Sequence, residues 1–315
     1  RQVKMSDSDV VIIGAGVAGL SAATFSARLG MDTVVLERLM PGGQIINAEI
    51  IEDYPGINHG ISGAELTGIM QEQAMSAGAD IRLSEVTEMT AEENTISIST
   101  YDGTLSTKSV IIACGSELRK LNVPGENELI GSGVSYCATC DGAFFMDQDV
   151  CVVGGGDSAV QEAISLTEFA RNIDIYCKEE SSHAQEALKT KALSNKKINF
   201  HFGTEISQIN GNGMVEEISY RKVSDNSVHT RRMDGVFIFV GLEPNTTYFK
   251  SLVDVDNSGH IITDSSMKTS HKGIFAVGDI RAYSASQLAS SSGDGVTAAV
   301  SAHRYIKNGI WENNG

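Results

Sequence analysis

The sequence predicts an α/β fold of two Rossmann-like, doubly wound dinucleotide-binding domains. A glycine-rich signature occurs twice, because residues 9–23 read DVVIIGAGVAGLSAA and residues 149–163 read DVCVVGGGDSAVQEA. Each copy runs from a short apolar stretch, typical of a buried parallel strand, through a glycine turn into residues that favour a helix. The length of 315 residues also exceeds what one hydrophobic core usually supports.

The first copy predicts a complete dinucleotide site. Gly14, Gly16 and Gly19 form the pattern G-x-G-x-x-G, and the apolar run at 33–36 ends at Glu37. In this fold the turn directs a helix N-terminus at a pyrophosphate, and an acid after the second strand accepts hydrogen bonds from ribose hydroxyls. Glycines alone would also be compatible with a packing role, but strand, glycines, helix and acid in register favour an adenosine site.

The second copy has small residues at the three fingerprint positions, which are Gly154, Gly156 and Ala159. Its counterpart of Glu37 is Cys177, followed by Lys178, Glu179 and Glu180. This segment offers neither an acid at the ribose position of NAD nor the arginines that hold the 2′-phosphate of NADP. Two interpretations stay open at this point: a donor site of altered specificity, and a vestigial site whose glycines only preserve the fold.

The chemistry is predicted at the hexapeptide CATCDG of residues 137–142. Cys137 and Cys140 have the spacing of a small reversible disulfide, and a helix N-terminus at this point would stabilise a thiolate. Asp141 can exchange the proton that each thiol-disulfide step moves. The sequence has no second C-x-x-C and no paired His-Cys cluster, so we predict no metal site. Inert buried thiols are the alternative for this pair, and buried apolar roles are expected for the other cysteines, Cys114, Cys151 and Cys177.

Composition excludes several classes of protein. The formal net charge of −16 disfavours a nucleic-acid partner, because phosphate binding requires clustered basic residues. No apolar run approaches the roughly 20 residues of a membrane span. The polar first residues lack the layout of a secretory signal, so we predict a cytoplasmic protein.

Taken together, these motifs resemble the low-molecular-weight thioredoxin reductase family along nearly the whole chain. The resemblance also includes Gly42-Gly43-Gln44 and Gly278-Asp279. It implies a homodimeric flavoenzyme whose FAD-binding domain comprises residues 1–117 and 246–315. The inserted NAD(P)H-binding-like domain, residues 118–245, would carry the redox cysteines.

The resemblance also assigns roles to individual residues. The adenosine and pyrophosphate of FAD would be held by Gly14, Gly16, Gly19 and Glu37. The ribityl chain and flavin would be lined by Gly43, Gln44, Asp279 and Gln287. Cys140 would lie nearest the flavin, Cys137 would attack the disulfide of thioredoxin, and Asp141 would be the acid.

One departure from the family concerns the electron donor. The family has His-Arg-Arg and a later Arg at positions that are here Cys177, Lys178, Glu179 and His183. We therefore expect a donor other than NADPH, either a ferredoxin or NADH. The ferredoxin alternative resembles a branch of the family that is independent of pyridine nucleotide, some members of which take electrons from ferredoxin. The alternatives are an ordinary NADPH-dependent thioredoxin reductase, the flavoprotein of a peroxide-reducing system, and a non-catalytic flavin or nucleotide sensor.

Overall fold

A computed structural model of the chain describes residues 7–48, 50–92, 95–309 and 311. The chain divides into two compact units, one formed by Arg1–Glu117 with Glu243–Gly315 and the other by Leu118–Leu242. Each unit has a sheet built around parallel strands and flanked by helices, with β4 and β5 added antiparallel in the first unit, so the predicted fold class is confirmed. Which ligand each unit binds stays a prediction.

The helices and strands follow one another along the chain in three groups. The first group is β1 (Ser8–Ile13), α1 (Val17–Arg28), β2 (Thr33–Glu37), α2 (Gly63–Ser76), β3 (Asp80–Leu83), β4 (Val86–Ala91), β5 (Ile96–Thr100), β6 (Thr104–Ile112) and β7 (Ser116–Leu118). The second is β8 (Val134–Ser135), α3 (Ala138–Asp141), β9 (Asp149–Val153), α4 (Asp157–Leu166), β10 (Asn172–Tyr176), α5 (Glu186–Leu193), β11 (Ile198–His201), β12 (Thr204–Asn210), β13 (Glu217–Lys222), β14 (Val228–Arg232), β15 (Gly235–Ile238) and β16 (Leu242–Pro244). The third is β17 (Ile274–Ala276) and α6 (Leu288–Asn308).

The main sheet of the first unit has the described strand order β3-β2-β1-β6-β5-β4, and β17 also pairs with β6. β1 lies parallel between β2 and β6, with Val11 opposite both Val34 and Val110. Successive side chains of β1 enter different cores, since Val10 packs on one face of the sheet and Val11 on the other. Burial on both faces is why β1 is apolar without alternation from Val10 to Ile13.

The inserted unit repeats this arrangement. Its described parallel sheet has the order β11-β10-β9-β15-β8, and β12, β13 and β14 form a separate antiparallel sheet. Val150 and Val152 enter one core while Cys151 and Val153 enter the other. In both units the glycine turn follows the central strand at its carboxyl end, which is the edge where ligands bind in such sheets.

Among the described residues, none of the helices combines the length and apolar character that crossing a membrane requires.

Candidate functional site

The glycines of the first fingerprint have different structural roles. Gly14 has φ +102°, and a Cβ there would lie 2.4 Å from the carbonyl oxygen of Ala113. A Cβ on Gly19 would lie 1.9 Å from the carbonyl oxygen of Gly14, so both positions require glycine for packing. A Cβ on Gly16 would instead meet nothing closer than Cα of Gly43, 3.9 Å away. The space beside Gly16 is therefore open to a ligand.

Glu37 lies at the end of β2, beside this turn. Its carboxylate accepts a hydrogen bond from the backbone amide of Ala15 at 2.8 Å and another from Leu39 at 3.1 Å. A cavity of about 280 Å³ adjoins it, with lining residues that include Ile13, Val86, Phe249, Ser84, Cys114 and Asn245. Apolar walls beside a carboxylate suit a nucleoside, whose base is flat and whose ribose donates hydrogen bonds.

The cavity wall beside Glu37 carries a neutral thiol. Burial, and then the Glu37 carboxylate, raise the pKa of Cys114 to about 12. The thiol donates to the carbonyl oxygen of Ile13 at 3.3 Å. Because it stays protonated at neutral pH, Cys114 adds no negative charge to a cavity that Glu37, Glu85 and Glu117 already line.

Three of the residues expected on the flavin side, Gly43, Gln44 and Gln287, all lie in the first unit. Gly43 approaches Gly16 so closely that a Cβ on Gly43 would lie 3.2 Å from Cα of Gly16. The side-chain amide of Gln44 donates to the carbonyl oxygen of Ser116. Gln287 is exposed and immediately precedes α6, without a side-chain hydrogen bond that caps this helix.

Asp279 lies in a 3₁₀ turn, Gly278–Ile280, that follows β17. A Cβ on Gly278 would lie 3.1 Å from Cβ of Ala18, which brings this turn to the first turn of α1. The hydroxyls of Ser284 and Ser291 lie 3.4 and 3.5 Å from Oδ1 of Asp279. Burial raises the pKa of Asp279 above its ordinary value, because these weak contacts do not replace full hydration. A ligand hydroxyl would supply the missing donor.

We expect Asp279→Asn to have opposite effects on the flavin-free and flavin-bound protein. The raised pKa means that ionising Asp279 costs the folded state stability. This cost is absent at a pH below the pKa of Asp279 in the unfolded chain, and it is complete at a pH above its pKa in the folded protein. At pH 7 the flavin-free variant should therefore melt at a higher temperature than the flavin-free parent, and this difference should vanish as the pH falls below the pKa of an unfolded aspartate. Its affinity for FAD should fall about tenfold, because a hydrogen bond to a charged acceptor is lost. Thermal melts measure the change in stability, and FAD titrations measure the change in affinity. A variant that is both more stable without flavin and tighter in binding FAD would contradict the role expected for Asp279.

The two cysteines of the hexapeptide form the predicted disulfide. Cys137 and Cys140 are bonded, with their Cα atoms 5.3 Å apart. Cys137 is half-buried and precedes the single turn of α3, whereas Cys140 is exposed. The backbone amide of Cys140 donates to Sγ of Cys137 at 3.1 Å. This amide would stabilise a thiolate on Cys137 once the disulfide is reduced.

Two residues that support the disulfide were not predicted from the sequence. Ser135 accepts a hydrogen bond from the amide of Cys137 at 3.0 Å and donates to its carbonyl oxygen at 3.2 Å. Glu162, on α4, accepts from the amide of Ala138 at 3.0 Å. Ser135 could have been suggested by its position two residues before a cysteine. Glu162 has no local signal, because its contact is formed only when α3 packs against α4.

Asp141 borders a second cavity, of about 550 Å³, within the inserted unit. Phe144, Met214 and Arg232 also line it. The side chains of Phe144 and Met214 are 78% and 62% exposed, so the cavity has apolar side chains open to solvent. The disulfide thus lies beside apolar surface that could contact a partner.

The second glycine turn keeps the packing of the first. Gly154 has φ +141°, and a Cβ there would lie 3.0 Å from Cβ of Ala159, on α4. A Cβ on Gly156 would lie 3.0 Å from Nε2 of His183. The predicted positions are therefore close together, and His183 borders the turn. In the described part of the chain, no group of three or more His, Cys, Asp or Glu side chains could hold a metal ion.

Comparison with known proteins places these features in one family. Residues 8–303 match the pyridine nucleotide-disulphide oxidoreductase family. The thioredoxin reductase of Listeria innocua is 40% identical over 300 residues, covering 95% of this chain and 94% of that protein. The structure of the Lactococcus lactis thioredoxin reductase is 42% identical with a TM-score of 0.93, covering 95% of this chain and 99% of that one. That of T. acidophilum thioredoxin reductase is 35% identical with a TM-score of 0.90, covering 95% and 98%. The chain therefore belongs to the pyridine nucleotide-disulphide oxidoreductases and, within them, to the low-molecular-weight thioredoxin reductase family.

Proposed function

We propose that this protein is an FAD-dependent disulfide reductase that passes electrons through Cys137 and Cys140 to thioredoxin. The observation that carries the proposal is the accessible Cys137–Cys140 disulfide at the start of α3, in a chain whose first glycine turn adjoins a cavity that suits an adenosine. The relatives named thioredoxin reductase, similar along nearly the whole chain, support the same substrate.

The residues of the first unit fit FAD. Glu37 would accept the ribose hydroxyls, while the open side of Gly16 and the start of α1 would receive the pyrophosphate. Asp279 would accept a ribityl hydroxyl, and the flavin side would be completed by Gly43, Gln44 and Gln287. When bound, FAD supplies the electron pair that reduces the disulfide. We assign it to residues 1–117 and 246–315, and the donor-binding role to residues 118–245.

The cysteines then act by thiol-disulfide exchange. Two electrons and two protons convert the Cys137–Cys140 disulfide into two thiols, and Asp141 exchanges protons with them. The Cys137 thiolate attacks the thioredoxin disulfide, forming a mixed disulfide and releasing one thioredoxin thiol. Cys140 attacks Sγ of Cys137, which restores the enzyme disulfide and releases the second thiol. Both electrons end on thioredoxin.

The surface beside the cysteines supports a protein as the substrate. A disulfide of a small molecule would need only access to sulfur, whereas a protein partner also buries apolar area. Phe144 and Met214 offer such area on the cavity that Asp141 borders.

The electron donor is proposed to be a ferredoxin or NADH rather than NADPH. The protein itself is proposed to be a cytoplasmic homodimer. β10 ends at Tyr176, and the residues that follow it, Cys177 and Lys178, include no arginine for a 2′-phosphate. An ordinary NADPH-dependent enzyme is the alternative that this segment disfavours.

The function can be tested without choosing a donor. The purified protein should release one FAD per chain on denaturation, without covalent attachment. After anaerobic reduction with dithionite and removal of excess reductant, added oxidised thioredoxin should gain two thiols for each reduced disulfide. A colourless protein that FAD cannot reconstitute, release of FMN alone, or thioredoxin that stays oxidised would contradict the proposal.

A further inference from the structure

The two glycine turns of this chain provide an internal comparison for the donor site. In the first unit, the carboxylate of Glu37 accepts a hydrogen bond from Ala15, the residue between the first two fingerprint glycines. The corresponding residue of the inserted unit is Gly155, and the counterpart of Glu37 is Cys177. By this count the inserted unit lacks the acid that an unphosphorylated ribose requires.

The structure nevertheless brings a carboxylate to that turn. Sγ of Cys177 lies 2.4 Å from where a Cβ of Gly155 would be, and Oε2 of Glu179 lies 3.6 Å from the same point. The Cys177 thiol donates to this oxygen of Glu179 at 3.2 Å. The segment after β10 thus brings the carboxylate of an acid two residues beyond Cys177 close to Gly155, beside the second glycine turn.

The protonation states suit this role. Burial, and then the hydrogen bond to Glu179, raise the pKa of Cys177 to about 11, so the thiol remains a donor at neutral pH. A hydrogen bond from its own backbone amide, and then the Cys177 thiol, lower the pKa of Glu179 below its usual range. Glu179 is exposed and ionised, and it can accept hydrogen bonds from solvent or a ligand.

The neighbouring charged residues are directed elsewhere. Lys178 pairs with Glu205 at 2.9 Å, and Arg221 pairs with the same carboxylate at 2.6 Å. Glu180 lies against Gly203, with Oε1 2.9 Å from where a Cβ of that glycine would be. Glu179 is therefore the charge of this segment that faces the glycine turn most directly, and it is negative.

We propose that Glu179 determines the nucleotide specificity of the inserted unit, accepting the 2′- and 3′-hydroxyls of an adenosine ribose and excluding a 2′-phosphate. The donor is then NADH. The inference rests on the proposed reductase function, because it names the reductant that supplies the same flavin. A ribose diol donates to a carboxylate, whereas a 2′-phosphate would bring a second negative charge against that of Glu179.

The diphosphate has a place in the same turn. The start of α4 follows Gly156, and the helix N-terminus favours negative charge there. His183 borders this space with Nε2, and its side chain is exposed. Rotation of the imidazole can open the approach, and a ring N–H can donate to a phosphate oxygen.

The test measures binding rather than turnover. FAD-saturated, oxidised enzyme is titrated by calorimetry with ADP-ribose and with 2′-phospho-ADP-ribose, so that the adenosine site of the first unit is filled. The parent should bind ADP-ribose at least about tenfold more tightly than the phosphorylated probe. Glu179→Gln should weaken ADP-ribose about tenfold or more and remove the preference. Glu179→Arg should reverse it, because arginine pairs with phosphate.

Glu180→Gln is the matched control, since it removes an equal charge that faces Gly203, and it should keep both affinities within about twofold. The inference is overturned if the parent binds neither probe, if it binds both equally, or if Glu179→Gln behaves like Glu180→Gln. Bleaching of the flavin by NADH and NADPH under anaerobic conditions should follow the same order. Dithionite-reduced enzyme is assayed separately with thioredoxin, so that a failed reductase function and a failed donor assignment give different results.

Discussion

Cys137→Ser and Cys140→Ser should each abolish thioredoxin reduction, by at least about 1000-fold, while leaving two different trapped states. Each electron pair must pass through both sulfurs, so neither variant can complete the exchange. In Cys140→Ser the remaining Cys137 thiolate, stabilised by the amide at position 140, can attack thioredoxin but cannot be displaced from it. This variant should accumulate a covalent complex with thioredoxin.

Cys137→Ser should give the opposite signature. Its remaining Cys140 sulfur is the one proposed to contact the flavin, so a long-wavelength charge-transfer band should appear and no covalent complex should form. Non-reducing electrophoresis and visible absorption distinguish the two variants. Thr139→Ser, which changes the residue between the cysteines without removing a sulfur, should retain activity. If the band appears in Cys140→Ser and the complex in Cys137→Ser, the two roles are interchanged.

Gly16→Ala should yield a folded protein that lacks FAD. The backbone at Gly16 has φ −75°, which any residue adopts, and an added Cβ would meet no protein atom closer than 3.9 Å. The methyl group would instead enter the space proposed for the pyrophosphate and separate it from the amides at the start of α1. Loss of two charge-assisted hydrogen bonds would weaken FAD by at least about 100-fold.

The measurement is the flavin content of the purified protein, followed by FAD titration and circular dichroism. Gly68→Ala is the control, because Gly68 also has open space around its missing Cβ but lies within α2, away from the fingerprint. It should keep FAD and gain about 0.5–1 kcal/mol from helix propensity. Gly19→Ala should fail differently, by misfolding, since its Cβ would lie 1.9 Å from the Gly14 carbonyl oxygen. A Gly16→Ala protein with full flavin content would contradict the proposed path of the pyrophosphate.

The features that could be predicted from the sequence alone are those whose physical cause lies within a short segment of the chain. The two glycine turns could be predicted because a strand, a tight turn and a helix N-terminus must follow one another within about a dozen residues. The disulfide could be predicted because two cysteines three positions apart on one turn are within bonding reach. Glu37 could be predicted because its place at the end of β2 follows from the length of one β-α-β unit.

Tertiary structure decided the contacts between segments that are distant or irregular. Glu162 supports the redox turn only because α4 packs beside α3. The turn that contains Asp279 reaches α1, through Gly278, only because β17 joins the sheet. Counting along the chain predicted that Cys177 stands where an acid that binds ribose is expected. The backbone of Cys177 does occupy the position that corresponds to Glu37, because Gly154 hydrogen-bonds to Tyr176 as Gly14 hydrogen-bonds to Leu36. The side chain that faces Gly155 with a carboxylate is nevertheless that of Glu179, because a loop after a strand has no fixed periodicity and its path is set by packing and hydrogen bonds.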